Sequence, residues 1–264
     1  MPDAAPATDL DIPALEAALA QRIIGHRVCH YDLIGSTMDE ARRLAAEGAA
    51  EGTVVIAEEQ TAGRGRFNRA WVSPRGENLS FSVILTPPAS QLPYMNMAAT
   101  LAVAQTVADC ANLQPTIKWP NDVRAGGLKI SGILIETAIE SADAVCAIIG
   151  IGVNVNFDPS RYAEIADIST SLYRETGQRR NRTPVLQTLL EHFDDAYAIV
   201  RSGGSLTADW SAMIDTLGRT ITLRSQHDTI EGIAESVDEQ GNLLVRRNDG
   251  SLYTATAGEV TSQT

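Results

Sequence analysis

Cysteine is scarce: the 264-residue chain has 3, Cys29, Cys110 and Cys146, far apart and in no C-x-x-C pair. Such a set provides neither a disulfide framework nor zinc-ligand spacing, and it fits a reducing cytoplasm. No run of about eighteen apolar residues occurs, and the opening MPDAAPATDLDIPALEAALA has no basic segment followed by a long apolar one. Neither a membrane span nor a secretory leader is expected. Positive charge is outnumbered, 21 Lys and Arg against 33 Asp and Glu, for a formal net charge of −12. That balance disfavours nucleic-acid binding, which relies on accumulated Lys and Arg at phosphates. Also missing are the G-x-x-x-x-G-K-[ST] phosphate loop and the G-x-S-x-G nucleophile elbow, while the third glycine of a G-x-G-x-x-G is replaced by Asn68.

With 44% hydrophobic residues the chain can bury one large core or two domains. After a loose Pro- and Ala-rich dozen residues, PALEAALAQRII predicts a short helix over 13–24. STMDEARRLAAEG predicts a helix capped by Ser36 and Thr37, with Asp39 and Glu40 in its first turn and Gly48 at its end. Strands are expected at 54–57 and 78–85, a long helix at about 94–111, and strands at 116–119, 128–136 and 144–156. The last three follow one another too closely for crossover helices, which implies antiparallel pairing. Thr183-Pro184 predicts the N-cap and first residue of a helix near 184–201. Beyond about residue 216, short strands separated by polar turns read as a small β-barrel. The expected division is an N-terminal segment, 1–28, a catalytic domain, 29–215, and a C-terminal β-domain, 216–264.

Against the acidic background, GRGRFNRAW gathers Arg64, Arg66 and Arg69 among Gly63 and Gly65, and joins two predicted strands. Glycines admit a ligand to the backbone and guanidinium forks match carboxylate or phosphate oxygens, so the loop suits a multiply charged anion. A solvated loop or a short RNA contact is the alternative. KWPND sets Lys118, Asn121 and Asp122 at a strand end, either as a phosphate and Mg2+ corner or as a surface turn. In LKISGILIE, strand alternation puts Lys129, Ser131 and Ile133 on one face and Ile130, Gly132 and Leu134 on the other. Lys129 then either serves a ligand or snorkels to solvent, while Gly132 suggests close approach to the backbone. Asn154 and Asn156 end GIGVNVN as ligand contacts or turn formers. His26, Cys29 and His30 lack a fourth ligand, so a metal site there is not favoured.

Taken in order, Ser36-Thr37, EEQTAGRGRFNRAW, KWPND, KISGILIE, GIGVNVN and a C-terminal β-domain resemble the biotin protein ligases over roughly residues 30–260. The resemblance implies an α+β fold, an antiparallel sheet with flanking helices like class II aminoacyl-tRNA synthetases, plus a small C-terminal SH3-like β-barrel. It implies the substrates biotin and ATP with Mg2+, and a biotin carboxyl carrier protein as acceptor, in a monomer or homodimer. By the same resemblance Ser36, Thr37, Met38, Gln60, Gly63, Arg64, Gly65, Arg66, Lys129 and Gly132 contact biotin. Arg64, Arg66, Arg69, Trp71, Lys118, Asn121, Lys129, Ile133 and Asn154 contact ATP or the adenylate, with Trp71 against adenine. Lys129, Arg64 and Arg66 are the implied catalytic set, and Asp122 the implied Mg2+ ligand. The family usually has Asn where this chain has Met38, and basic or glycine residues where it has Phe67 and Asn68. With only about thirty residues before the first motif, a monofunctional enzyme without a winged-helix DNA-binding domain is expected. The rival readings are a lipoate or octanoate transferase, disfavoured by GRGRFNRAW and KWPND, and a biotin-sensing regulator that does not ligate.

Overall fold

The computed structural model describes residues 8–139, 145–225 and 228–262. In chain order its main elements begin with α1 (Ile12–Leu19), β1 (Val28–Tyr31), α2 (Thr37–Ala46), β2 (Val54–Ala57), β3 (Leu79–Leu85) and α3 (Leu92–Ala111). Next are β4 (Thr116–Lys118), β5 (Asp122–Ala125), β6 (Leu128–Ile139), β7 (Val145–Val153), α4 (Leu172–Thr176), α5 (Arg182–Arg201) and α6 (Thr207–Ala212). The C-terminal strands are β8 (Thr220–Arg224), β9 (Thr229–Val237), β10 (Leu243–Arg247), β11 (Leu252–Ala255) and β12 (Glu259–Ser262).

Seven strands form one sheet in the order β1-β2-β3-β7-β6-β5-β4. All neighbours are antiparallel except β1 and β2, so the sheet is mixed rather than wholly antiparallel. The exception follows from α2, which carries the chain from the end of β1 back to the start of β2. The strand β5 was not anticipated. Pro120-Asn121 turns the chain sharply, and Asp122–Ala125 pairs back on β4 and forward to β6.

Alternation along β7 assigns the two faces. Ile149, Ile151 and Val153 join Val54, Ile56, Phe81 and Val83 in the main core, under α3 and α5. The opposite set, Cys146, Ile148, Gly150 and Gly152, stands in register with Ile84, Ser82 and Ser80 of β3 and Leu134 and Gly132 of β6. α2 covers one end of this second face, where Met38 and Ala41 pack on Val55, Ile84, Cys146 and Ile148. The other end, lined by small residues, stays open.

Several boundaries differ from expectation. α1 stops at Leu19 because the chain turns at Gly25, φ 92°, to enter β1. α5 is capped by Asn181, whose side chain accepts from the Thr183 backbone N–H, so the helix starts ahead of Pro184 rather than at it. Of the N-terminal dozen expected to be loose, residues 1–7 lie outside the described residues, and Thr8 and Asp9 are pinned by hydrogen bonds to Glu58 and Arg182. The C-terminal strands form an antiparallel sheet in the order β11-β10-β9-β8-β12; no β11–β12 pairing closes it into a barrel among the described residues. No helix among the described residues is long and apolar enough to cross a membrane.

Candidate active site

The open end of the second face is a cavity of about 390 Å³. Every residue that the family resemblance assigns to the site lines it, save Gly63, while Asn156 lies outside it with its amide bonded to the Arg180 backbone. Gly63 sits behind the wall, where a Cβ would stand 2.8 Å from the Trp71 carbonyl oxygen. Nineteen further positions were not in that set, among them Gly150, Gly152, Phe157, Ile165, Ile168, Gly258 and Glu259, which also line the cavity. Gly150 and Gly152 were legible as alternate positions of AIIGIGV, whereas the loop that carries Phe157 and Ile168 has no motif.

One end is apolar and tightly built. A Cβ on Gly152 would lie 2.3 Å from Cε2 and Cζ2 of Trp71, so the indole rests flat on that glycine. Likewise a Cβ on Gly150 would lie 2.7 Å from Met38 Sδ. The N-terminus of α2 opens at this end. Ser36, its N-cap, makes no side-chain capping bond; instead Gln60 Oε1 accepts from the Thr37 backbone N–H at 2.8 Å and from Thr37 Oγ1 at 3.1 Å. A side chain from the arginine loop therefore caps the helix, because Ser82 and Gln60 already hold the Thr37 hydroxyl.

The other end is cationic. The arginine loop spans the cleft and is fastened on both sides. Arg64 forms a fork with Asp39 of α2, 2.7 Å at each oxygen, and lies 3.6 Å from Glu136 of β6. On the far side Arg66 donates to Asn121 Oδ1 at 2.9 Å and to the Gly258 carbonyl at 3.0 Å, while Arg69 pairs with Glu259 at 2.5 Å. Arg66 thus meets neutral acceptors, and burial pushes its guanidinium down from the ordinary value. The Lys118 side chain makes no hydrogen bond or ion pair among the described residues, although its backbone pairs with Asp122 in the sheet. Burial, then the neighbouring Arg124, lowers its amine. Asp122 and Glu259 face this end but are paired with Lys129 and Arg69, so Arg66 and Lys118 have no ion pair of their own.

Lys129 stands at the junction of the two ends. Its Nζ is 2.7 Å from Asp122 Oδ1 and 5.8 Å from the Trp71 ring centroid. The expected face was wrong: a β-bulge, in which Arg124 pairs with Lys129 and Val123 with Ser131, leaves Ile130 unpaired. The extra residue reverses the alternation, so Lys129 shares the cavity face with Gly132, whose Cβ would lie 2.8 Å from Nζ. Both backbone groups of Lys129 are bonded, N–H to the Ile168 carbonyl and carbonyl from the Thr170 N–H. Ile133 donates its backbone N–H to the Asn121 carbonyl, accepts at its own carbonyl from Asn121 Nδ2, and buries its side chain in the main core. Asn154 lines the cavity with its amide already used, accepting from Asn78 at 3.2 Å and donating to the Thr170 carbonyl at 2.9 Å.

A chain with this site is similar along most of its length to characterised proteins. The profile of the Biotin/lipoate A/B protein ligase family matches residues 32–154, and that of the Biotin protein ligase C terminal domain matches residues 216–261. The bifunctional ligase/repressor BirA of Bacillus subtilis is 36% identical over 244 residues, 90% of this chain and 75% of that protein. The chain belongs to the biotin protein ligase family. The biotin--[acetyl-CoA-carboxylase] ligase of Mycobacterium tuberculosis is 33% identical over 236 residues, 86% of the present ligase and 85% of its own length. The biotin protein ligase of Aquifex aeolicus, solved in complex with biotin and ATP, superposes with a TM-score of 0.76 at 28% identity, covering 90% of the ligase and 98% of that chain.

Proposed function

We propose that the glycine floor takes the bicyclic head of biotin and that Arg66, Lys118 and Lys129 receive its carboxylate together with the phosphates of ATP. The ligase activates biotin as biotinyl-5′-AMP and transfers the biotinyl group to a lysine. The acceptor lysine belongs to a biotin carboxyl carrier domain. The observation that supports the assignment of ends is the division of one cavity into a small-residue floor under Trp71 and a polar half whose cations Arg66 and Lys118 lack a carboxylate partner. An apolar ring system and a polyanion need those two environments, in contact.

In the first step a carboxylate oxygen of biotin attacks the α-phosphorus and pyrophosphate leaves. Both reactants are anions, so the barrier contains their repulsion, and a fixed ammonium at the junction offsets it as charge builds. Lys129 occupies that junction, held by Asp122 and by its two backbone bonds. In the second step the acceptor amine attacks the biotinyl carbonyl and AMP departs. Trp71, Met38 and the loop around Arg66 exclude water from the mixed anhydride meanwhile.

The donor chemistry fits Mg2+. Asp122 offers one carboxylate at the polar end, and Mg2+ is commonly held by one or two carboxylates together with substrate phosphates and water. No cluster of three or more His, Cys, Asp or Glu suited to an all-protein metal cage occurs among the described residues. Bound there with ATP, Mg2+ would supply charge neutralisation to the phosphates.

Biotin-dependent exchange of pyrophosphate into ATP by the pure protein tests the reading. Lys129→Ala is expected to lower exchange by on the order of 10²–10³ while thermal melting stays close to wild type. Absence of exchange in the wild-type protein with biotin and MgATP present would refute the function. Near-normal exchange by folded Lys129→Ala would remove Lys129 from the step.

A further inference from the structure

The arginine loop leaves the sheet at Glu58, just after β2, and returns at Asn78, just before β3. One side chain outside every motif touches both points. Arg182, the first residue of α5, is 1% exposed. Its Nη2 donates to Glu58 Oε2 at 2.7 Å, and its Nη1 donates to the Asn78 carbonyl at 3.1 Å. The third edge of the guanidinium is also occupied, with Nε donating to Asp9 Oδ1 at 2.6 Å and the Arg182 backbone N–H to Asp9 Oδ2 at 2.7 Å. Thr8 donates to Glu58 from the same N-terminal strap, and Thr183 holds the strap through its hydroxyl, which donates to the Asp9 carbonyl at 2.6 Å.

The contacts continue into the cavity. Asn78, whose carbonyl Arg182 holds, donates through Nδ2 to Asn154 Oδ1 and accepts at Oδ1 from the Val155 N–H. Asn154 in turn donates to the Thr170 carbonyl, and the Thr170 N–H bonds the Lys129 carbonyl. From strap to catalytic lysine, the groups are linked by direct hydrogen bonds.

We infer that Arg182 is a positioning residue of the ligase: it staples the two feet of the arginine loop and sets Asn154, with the strap residues Thr8 and Asp9 keeping its guanidinium in place. The inference rests on the proposed function, because what the stapled loop holds is the adenylate. A planar fork is required here. Lysine restores the positive charge beside Glu58 but reaches one foot at a time. A merely structural arginine would be replaced by lysine at some loss of stability with no change in the kinetics of the folded protein.

The test compares wild type, Arg182→Lys and Asp9→Asn as full chains. Labelled adenylate is formed from biotin and MgATP, and its escape is followed in a chase with excess unlabelled biotin. KM for ATP is taken from pyrophosphate exchange, and melting is recorded alongside. Arg182→Lys is expected to stay folded, release adenylate about fivefold faster or more, and raise the KM for ATP over that for biotin, in line with the sensitivity of such sites to small displacements. Asp9→Asn, made in the part-exposed strap, is expected to move both quantities the same way by less, and it decides the matter if Arg182→Lys does not fold. Wild-type release and KM in a folded variant overturn the positioning role. Failure of the wild-type protein itself to form adenylate is a separate outcome that sinks the functional reading, and the inference with it.

Discussion

Gly152→Ala places the smallest possible probe at the centre of the site. The backbone there is ordinary strand, so the substitution brings no φ penalty, only a methyl group aimed at Trp71. That methyl would sit 2.3 Å from two indole carbons, and ordinary contact begins at 3.4 Å, so the ring must rise by about 1.1 Å. Rising means moving into the cavity, against the space assigned to the biotin head. Overpacking of this kind costs roughly 1–3 kcal/mol, about 2–4 °C of melting temperature per kcal/mol for a chain of this size class. A displacement of about 1 Å in a positioned site costs up to about 10²-fold in function. Biotin affinity measured by calorimetry is therefore expected to fall between tenfold and a hundredfold, with a modest loss of melting temperature. Gly150→Ala is the comparison: its methyl would stand 2.7 Å from Met38 Sδ and 3.0 Å from its Cγ, and an unbranched thioether chain adjusts more readily than an indole, so the loss should be smaller. Wild-type biotin affinity in Gly152→Ala would show that Trp71 does not rest on the floor as described.

The loop and the cationic end of the cavity make three further predictions. Gly63→Ala should distort it, since the new Cβ would lie 2.8 Å from the Trp71 carbonyl, whereas Gly65→Ala meets only the Arg69 carbonyl at 3.6 Å; pyrophosphate exchange should fall in the first and hold in the second, and equal loss would contradict the steric argument. Arg66→Gly removes the bonds to Asn121 and Gly258 and loosens the backbone, so adenylate should escape about tenfold faster; with biotin, MgATP and a bystander protein, a streptavidin blot should show bystander labelling above wild type, and wild-type labelling while adenylate still forms would end that role. Lys118, lowered by burial and then by Arg124, should be raised by an arriving phosphate, so ATP binding takes up protons at alkaline pH and weakens as the pH climbs through the range of the free amine. Calorimetry in two buffers of different ionisation enthalpy measures the uptake, Lys118→Met should abolish it, and proton release on binding would contradict the assignment.

What could be read in advance was what lies close in sequence. GRGRFNRAW suggests an anion loop through residue type, KWPND stays open between a phosphate corner and a surface turn until the family resemblance is added, and the strands around them follow from apolar periodicity. Parity was lost where one residue was inserted: the bulge at Ile130 turns Lys129 to the other face, and no pattern in LKISGILIE marks it. Long-range partners were equally hidden. Arg69 meets Glu259 across 190 positions and Arg182 meets Glu58 across 124; nothing beside Arg69 in the sequence names its partner, and Arg182 looks like an ordinary surface cation in its own neighbourhood. The start of α5 slipped because Asn181 caps it ahead of Thr183, whereas α2 begins after Ser36 as expected but takes its capping bond from the distant Gln60.

The two faces of β7 also differ in how they can be inherited. An isoleucine codon changes by one base into valine, leucine or methionine, so Ile149 and Ile151 can drift among side chains of similar volume in the core, where such exchanges usually cost less than about 1.5 kcal/mol. A glycine codon has no such neighbours. Every one-base change that replaces Gly152 by another amino acid adds at least a Cβ, and that atom meets the indole of Trp71. Within one strand, alternate codons are therefore genetically soft and genetically hard, and a single base change is enough to disturb the glycine floor under Trp71.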